Sequence, residues 1–167
     1  MRDPQDLYQL LDTEAIHYQR FDHPAVFTCA EASTLAPIPG SLASKNLFLK
    51  AGKTGRYLLL CLPASARLDL KALGELLAIK NLGFASAERL QATLGLTPGA
   101  VSLLAVVNDS AGLVDVIIDE AVTQHDTVLC HPLVNTSTLA INTGDLLRFL
   151  DSSHHPARVM QLPCLPA

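Results

Sequence analysis

The 167-residue sequence has few charged residues and no long apolar run. Charged residues make up 17% of it and hydrophobic residues 49%, whereas a typical soluble domain has about 25% charged residues. No segment approaches the roughly eighteen consecutive apolar residues of a membrane-spanning helix, and residues 1–6 lack the apolar core of a secretory signal. We therefore expect one compact domain over residues 1–167, located in the cytoplasm and without a membrane partner.

Paired cysteines are also missing. The sequence contains no CxxC pair, so it predicts neither a zinc site nor a disulfide framework. We expect no metal ligation from the four cysteines and interpret them as reduced, mostly buried thiols: Cys29, Cys61, Cys130 and Cys164.

The common catalytic motifs are absent as well. Without GxSxG, HExxH or GxGxxG, the sequence lacks the usual signals of a serine hydrolase, a metalloprotease and a dinucleotide-binding domain. Cys130 and His131 are neighbours, but adjacent side chains of a strand point to opposite faces, so an extended segment cannot pair them as thiol and imidazole. The sequence therefore indicates no cofactor.

One segment, GKT at residues 52–54, resembles the end of a phosphate-binding loop. That loop requires a glycine five positions before its second glycine, where Leu47 stands. It also requires a helix afterwards, whereas residues 57–60 form an apolar run typical of a strand. We therefore exclude a nucleotide-binding loop.

The charge balance limits the partners. A net charge of −4 and an isoelectric point near 5.8 argue against binding to a nucleic acid over a long basic face, and DNA is not an expected partner. A local contact with RNA is compatible with the distribution of basic residues, because seven of the twelve lie between positions 45 and 80: Lys45, Lys50, Lys53, Arg56, Arg67, Lys71 and Lys80.

Helix caps and apolar runs alternate along the chain. Capping residues predict helices that begin at Asp3-Pro4, Thr28, Asp69, Ser86 and Thr143. Apolar and β-branched runs predict strands over residues 16–21, 46–50, 56–62, 101–107, 114–118, 127–130, 136–141 and 158–162. The second strand pairs with the third, and the fourth with the fifth, as two hairpins. Because no strict βαβ repeat is present, we predict an α+β fold with a mixed, mostly antiparallel β-sheet covered by helices.

Lys45 and Asn46 stand at the start of an apolar strand. They follow the loop at residues 37–41, whose two prolines and one glycine favour a stiff, sharp bend. Polar side chains at such a junction are often binding groups. The alternative is a solvated lysine at a strand end followed by a turn asparagine.

Three of the six histidines precede a proline. His23 and His155 are interpreted as turn residues, because proline holds the preceding backbone extended. His131 differs, since it ends the apolar strand 127–130 and precedes small hydrogen-bonding side chains at 135–138. This pattern is compatible with the edge of a pocket, and the alternative is a buried histidine that only satisfies backbone groups.

Three segments together resemble the YbaK/ProX family of aminoacyl-tRNA editing domains. They are SKNLFL at 44–49, LGLTPGAVS at 94–102, and the His131-Pro132 pair with Asn135 and Thr136. The segments occur in the order found in the family, and the similarity extends from the first helix to Phe149. It is greatest to the free-standing alanyl-tRNA(Pro) deacylase branch.

The resemblance implies an enzyme that hydrolyses the ester joining a wrong amino acid, chiefly alanine, to the 3′ end of tRNA for proline. Lys45 and Asn46 correspond to the catalytic lysine and asparagine of the family. The resemblance implies that the acceptor end of mischarged tRNA(Pro), and also prolyl-tRNA synthetase, are partners. The substrate-binding positions that it implies are Gly99, Ser102, His131 and Asn135.

The sequence departs from the family pattern at two places. Leu103 follows Ser102 where many relatives have proline, and Leu129-Cys130 stands where some relatives have glycines. Two alternatives therefore stay open. One is a cysteinyl-tRNA(Pro) deacylase, which shares the lysine, and the other is a tRNA-binding or synthetase-binding module of the same fold that does not cleave.

An aminoacyl ester is already activated, so its hydrolysis needs no protein nucleophile. A pocket that polarises the carbonyl group and positions a water or the terminal ribose hydroxyl is sufficient. As an ammonium, Lys45 is suited to bind the terminal phosphate or the developing oxyanion, and Asn46 to hold the substrate by hydrogen bonds. We expect the start of the strand at 46–50 and the end of the strand at 127–130 to line this pocket.

Overall fold

The computed structural model describes residues 1–25 and 41–166. Its helices are α1 (Pro4–Thr13), α2 (Leu70–Leu76), α3 (Ala87–Leu94), α4 (Glu120–Thr123) and α5 (Thr143–Ser152), with 3₁₀ helices at Pro98–Ala100 and Leu103–Asn108. Its strands are β1 (Tyr18–Asp22), β2 (Ser41–Leu42), β3 (Ser44–Ala51), β4 (Tyr57–Pro63), β5 (Leu82–Phe84), β6 (Val114–Asp119), β7 (Thr127–Cys130), β8 (Ser137–Asn142) and β9 (Arg158–Met160). The helix predicted from Thr28 lies outside the described residues.

The described strands form two sheets. The first sheet has the order β1-β8-β7-β2 and the second sheet the order β5-β3-β4-β6-β9. The pairs β1–β8, β7–β8, β3–β4 and β3–β5 are antiparallel, whereas β2–β7, β4–β6 and β6–β9 are parallel. The predicted α+β class with mixed, mostly antiparallel pairing is confirmed, and the strands are divided between two sheets.

The first predicted hairpin is confirmed as β3 and β4, which pair antiparallel. Its turn contains Gly52 (φ +58°) and Gly55 (φ +78°), both in the left-handed region. A Cβ atom at Gly52 would collide with the carbonyl oxygen of Lys80, so this turn depends on glycine. A strand follows the turn, in agreement with the exclusion of a nucleotide-binding loop.

The N-caps of three helices show how well neighbouring residues in the sequence predict where a helix begins. Asp69 and Ser86 cap α2 and α3 through side-chain oxygens, as predicted. For α5 the prediction was wrong by one residue. The cap is Asn142, whose side chain accepts the N–H of Asp145 (3.1 Å), and Thr143 is the first helical residue. Asparagine and threonine are both favourable caps, so their order in the sequence alone does not distinguish them.

The second predicted hairpin is wrong. Leu103–Asn108 forms a 3₁₀ helix, and β6 pairs in parallel with β4. A short apolar run that is buried on all sides lacks the period that distinguishes a helix from a strand, so packing overrides the β-branched residues. Four side chains of this helix have at most 1% of their surface exposed: Leu103, Leu104, Ala105 and Val106.

The strand β4 explains how the second sheet is covered. Leu59 and Cys61 belong to a large apolar cluster that also contains side chains of β7, β8, α1, α3 and α5. Leu58, Leu60 and Leu62 belong to a smaller cluster with Leu73 of α2. Because neighbouring strand residues point to opposite faces, both faces of β4 are buried. This accounts for its unbroken apolar sequence.

The start of β3 and the end of β7 lie close together, and we call this region the site edge. In the second sheet, β3 begins where β4, β6 and β9 end, since β3 is antiparallel to β4 and the other two are parallel to β4. In the first sheet, Leu42 of β2 pairs in parallel with Val128 of β7. Only Ala43 separates β2 from β3, so the chain passes from β2, which lies beside β7, directly into the start of β3. The two strand ends are therefore on one side of the molecule, as predicted.

Candidate active site

Lys45 is the second residue of β3 and is half-buried. Its ammonium group donates a hydrogen bond to the carbonyl oxygen of Ala66 (2.5 Å), in the loop that follows β4. The protein therefore holds the charged group in place. This arrangement differs from the solvated strand-end lysine that was the alternative interpretation of the sequence.

A cavity of about 600 Å³ opens beside the same loop. It lies where β4, β6 and β9 end, a position at which α/β proteins often bind ligands. Ala66 lines the cavity and its carbonyl oxygen also accepts the Lys45 hydrogen bond, but Lys45, Asn46 and His131 are not among the residues that line this cavity. The lining residues that carry polar side chains are Asp119, Glu120, Gln124, Gln161 and Cys164.

Asn46 follows Lys45, and its side chain points to the opposite face of β3. Asn46 pairs opposite Cys61 of the neighbouring strand β4, and its amide group donates to the carbonyl oxygen of Leu60 (3.4 Å). Cys61 belongs to the same buried apolar cluster as Cys130, the last residue of β7. Asn46 therefore faces the end of β7, whereas Lys45 faces the loop after β4.

The buried cysteines are not suited to nucleophilic chemistry. Burial raises the pKa of Cys61 to about 11, and it raises the pKa of Cys130 even further above the ordinary value of 9.0. Both groups are therefore thiols at neutral pH, and a thiol is a weak nucleophile. Cys164 is exposed, and Cys29 lies outside the described residues.

His131 directly follows β7 and is half-buried. Its Nδ1 lies 3.1 Å from the carbonyl oxygen of Ser137. A carbonyl oxygen can only accept, so Nδ1 carries the proton and Nε2 of the neutral ring keeps its lone pair. Burial lowers the pKa of His131 below its ordinary 6.5, and the charge of His23 lowers it too, although the Ser137 bond opposes this change. His131 is therefore neutral at pH 7, with Nε2 as a hydrogen-bond acceptor.

Three further functional candidates from the sequence are Gly99, Ser102 and Asn135. Gly99 is half-buried in the Pro98–Ala100 turn. Ser102 is fully buried, and its hydroxyl accepts the N–H of Leu104 (3.2 Å), which caps the second 3₁₀ helix. Asn135 is half-buried between β7 and β8 and has an interaction partner. The substrate-binding roles of these three residues remain predictions.

The sequence analysis missed the polar contacts that Asp22 and His23 make with β8, next to the Ser137 carbonyl that His131 contacts. His23 was interpreted as a turn residue, but its Nε2 lies 2.8 Å from the hydroxyl of Thr138 in β8. Asp22 accepts a hydrogen bond from the Ser137 hydroxyl (2.5 Å). Nothing in the spacing links residues that are 115 positions apart in the sequence, so only the antiparallel pairing of β1 and β8 could have revealed them.

Within residues 1–25 and 41–166, no three His, Cys, Asp or Glu side chains are grouped so that they could hold a metal ion. In the same ranges, no helix combines the length and the hydrophobicity needed to cross a lipid bilayer.

Comparison with known proteins gives a consistent result. A family model described as the aminoacyl-tRNA editing domain matches residues 23–149. The chain is 31% identical over 152 residues to the prolyl-tRNA editing protein ProX of Acetoanaerobium sticklandii. The aligned residues cover 91% of this chain and 93% of that protein. It is 33% identical over 152 residues to the prolyl-tRNA synthetase associated domain-containing protein 1 of Danio rerio. This alignment covers 90% of this chain and 82% of the relative.

A solved structure supports the fold. It is described as that of a candidate trans-editing enzyme for prolyl-tRNA synthetase, and it superposes with a TM-score of 0.70. The match covers 97% of this chain and 98% of the other, at 20% sequence identity. At 20% identity this likeness establishes the fold, including the two sheets described above.

Proposed function

The chain belongs to the aminoacyl-tRNA editing domain family, and from this membership we propose that it is a trans-editing deacylase of mischarged tRNA(Pro), chiefly alanyl-tRNA(Pro). The relative named as a prolyl-tRNA editing protein supports the choice of tRNA. The observation that carries the proposal is His131, a neutral imidazole with an acceptor nitrogen, at the edge where Lys45 and Asn46 begin β3.

The reaction is hydrolysis of the ester between the amino acid and the terminal ribose. Water, positioned by the pocket or by the neighbouring ribose hydroxyl, attacks the carbonyl carbon. The ester C–O bond then breaks, the ribose oxygen takes up a proton, and the free amino acid is released. The buried thiols of Cys61 and Cys130 are protonated and take no part. Catalysis then depends on positioning and on stabilisation of the oxyanion, for which an activated ester is a suitable substrate.

Lys45 supplies the positive charge. Its ammonium group is anchored by the carbonyl oxygen of Ala66, which uses only one of its three N–H groups. The remaining donors can bind the terminal phosphate or the oxyanion. Asn46 faces the end of β7 and holds the substrate through its amide group.

His131 recognises the amino group of the substrate. The Nε2 lone pair accepts a hydrogen bond from the primary amine of alanine, whereas the ring nitrogen of proline is secondary and has fewer N–H groups to offer. A pocket sized for a methyl side chain excludes the larger proline ring as well. The two effects together spare correctly charged prolyl-tRNA.

The partners follow from this proposal. The acceptor end of tRNA(Pro) is the substrate, and prolyl-tRNA synthetase, which releases mischarged product, is the second partner. The acidic net charge of −4 suits an enzyme that contacts mainly the terminal nucleotides. Both partners place the protein in the cytoplasm.

The test is a parallel deacylation series with purified protein and tRNA(Pro) charged with glycine, alanine, serine, cysteine or proline. We expect alanine to be removed fastest and proline to be retained. Faster removal of cysteine would assign the protein to the cysteinyl-tRNA(Pro) branch. Removal of proline as readily as alanine would contradict editing, and binding of tRNA without any hydrolysis would indicate a noncatalytic module.

A further inference from the structure

Residues 136–138, at the start of β8, are hydrogen-bonded to residues 22 and 23, at the end of β1. The backbone N–H of His23 donates to the carbonyl oxygen of Thr136 (2.9 Å), and the ring of His23 contacts the hydroxyl of Thr138 (2.8 Å). Between them, the Ser137 hydroxyl donates to Asp22 (2.5 Å). Three consecutive residues, 136–138, are thus held by Asp22, the last residue of β1, and by His23, which follows it.

Ser137 connects these hydrogen bonds to the candidate active site. Its hydroxyl bonds Asp22, and its carbonyl oxygen accepts the Nδ1 proton of His131 (3.1 Å). Only 4% of the Ser137 surface is exposed, so neither group has water as a ready substitute. A movement of Ser137 would therefore move the atom that orients the imidazole ring.

Asp22 is itself held in place although its side chain is 65% exposed. Arg20, two residues earlier on the same face of β1, donates to the Asp22 carboxylate (2.8 Å). The Arg20 guanidinium group in turn lies over the ring of Tyr8, 4.9 Å from its centroid. An exposed carboxylate with fixed partners on both sides differs from an ordinary solvated surface residue, whose side chain is free to change rotamer.

From these contacts we infer that Asp22 and Ser137 are positioning residues that hold His131 in the tautomer with a proton on Nδ1 and a lone pair on Nε2. The inference rests on the proposed function of His131 as an acceptor. A histidine free in water favours the opposite tautomer, which has its proton on Nε2. Without a fixed Ser137 carbonyl, part of the population would carry a proton on the nitrogen that has to accept one.

A purely structural role for the Asp22–Ser137 bond would hold two strands together without affecting the ring. The two roles are separated by a readout on the ring nitrogens themselves. Nitrogen NMR of histidine-labelled protein, without tRNA, distinguishes protonated from unprotonated nitrogens, and the spectrum of His131→Ala identifies the His131 signals.

The informative variants are Asp22→Ala and Ser137→Ala, compared with Asp22→Asn, which keeps an acceptor oxygen for the Ser137 hydroxyl. The control is Asp115→Ala. Asp115 is also an exposed aspartate on a strand, and its carboxylate also bonds an arginine, Arg56, at 2.8 Å, but it lies in the second sheet.

We expect Asp22→Ala and Ser137→Ala to shift the His131 Nε2 signal toward the protonated form. Both should lower kcat roughly 3- to 10-fold, the range that loss of one hydrogen bond gives, with little change in KM. The double variant should be no worse than either single one, because the two groups act as a unit. Asp22→Asn should restore most of the wild-type signal, and Asp115→Ala should match wild type.

Wild-type ring-nitrogen signals in folded Asp22→Ala would overturn the inference, whatever the activity. An equal shift in Asp115→Ala would overturn it as well, since the effect would then be general. If Ser137→Ala does not fold, Asp22→Ala and Asp22→Asn decide the matter. Failure of the wild-type protein to deacylate any charged tRNA(Pro) would contradict the proposed function alone, because the NMR comparison needs no substrate.

Discussion

Two histidines that each precede a proline occupy opposite ends of the sheets and have different surroundings. His131, at the site edge, has one ring nitrogen bound to a carbonyl oxygen, and Nε2 has no hydrogen-bond partner among the described residues. His155 is 6% exposed and has both ring nitrogens bound, Nδ1 to the Ser153 carbonyl (2.6 Å) and Nε2 to Asp109 (2.8 Å). The first ring is available to a ligand, and the second is part of the protein interior.

The surroundings of Asp109 show why the second histidine is structural. Its carboxylate also accepts the N–H groups of Leu113 (3.1 Å) and Val114 (2.9 Å), which closes the loop before β6. His155 adds a second chain segment to this arrangement, from the turn after α5. The turn interpretation of His155 is correct for its place in the chain, but the sequence analysis missed its buried hydrogen bond with Asp109.

The two histidines differ in the number of acceptors around the imidazole ring, although both stand in the same His-Pro sequence. A buried polar group with every partner present contributes to folding. A half-buried one with an open acceptor is available for binding. The predictions below test this division, beginning with the largest expected effect.

The two lysines at the two ends of β3 should differ most. Lys45→Ala is expected to abolish deacylation with little change in melting temperature, because a half-buried lysine at a strand end adds little to the core. Lys50→Ala, at the other end of β3, should leave both properties unchanged. Lys45→Arg should not restore activity, since a planar guanidinium group does not replace a compact ammonium group. Single-turnover rates and thermal unfolding measure both effects, and near-normal turnover by Lys45→Ala would return Lys45 to the role of a surface lysine.

Substitution of each histidine by alanine should affect a different property: the deacylation rate for His131 and the stability for His155. His131→Ala is expected to lower the deacylation rate by about 100-fold or more, the size that loss of one positioned active-site hydrogen bond gives. His155→Ala should lower the free energy of unfolding by about 1–3 kcal/mol, because the buried Asp109 carboxylate loses one of its hydrogen-bond partners. Urea denaturation and rates per folded molecule separate the two. The assignment of His155 to a structural role is wrong if His155→Ala lowers the deacylation rate and leaves the free energy of unfolding unchanged.

Discrimination between glycine and alanine should be weak at the site edge. A pocket that admits a methyl group also admits a hydrogen, so glycine loses only the contact energy of one carbon, roughly 1–3 kcal/mol. The measurement is the ratio of kcat/KM for glycyl- and alanyl-tRNA(Pro). A ratio as large as that between alanine and proline would show that size exclusion is not the basis of selection.

The smallest expected effect is a pH dependence that belongs to His131 alone. Its pKa is lowered by burial from the ordinary 6.5, so below pH 6.5 the unfolded chain binds more protons at this residue than the folded protein does. Its contribution to the free energy of unfolding is therefore fully present above pH 6.5 and is lost as the pH falls through the folded-state pKa. Deacylation should fall over the same acidic range, since an imidazolium ring has no acceptor nitrogen.

The ratio of wild-type to His131→Ala rates isolates this effect, because the intrinsic pH dependence of the ester cancels. The ratio should be constant above pH 6.5 and should approach one as His131 becomes protonated. A ratio that stays constant through the acidic range would mean that the neutral ring is not required.

Sequence reasoning was most successful where a residue determines its own local conformation. The caps Asp69 and Ser86, and the glycine turn between β3 and β4, were predictable from a few adjacent residues, because capping and left-handed turns are local interactions. The run at 101–107 was not predictable in this way. Its conformation depends on how it packs against the rest of the core, and its valines favour a strand that is not formed.

For the candidate site, the sequence by itself determined the family and the place of Lys45 and Asn46 at the start of an apolar strand. The tertiary structure decided which acceptor holds Lys45, which nitrogen of His131 stays open, and that Asp22 stands beside the Ser137 that orients the ring. The physical reason is that a hydrogen-bond partner is set by distance in space. Asp22 and Ser137 are 115 residues apart, and the residue type gives no information about which strand will lie alongside.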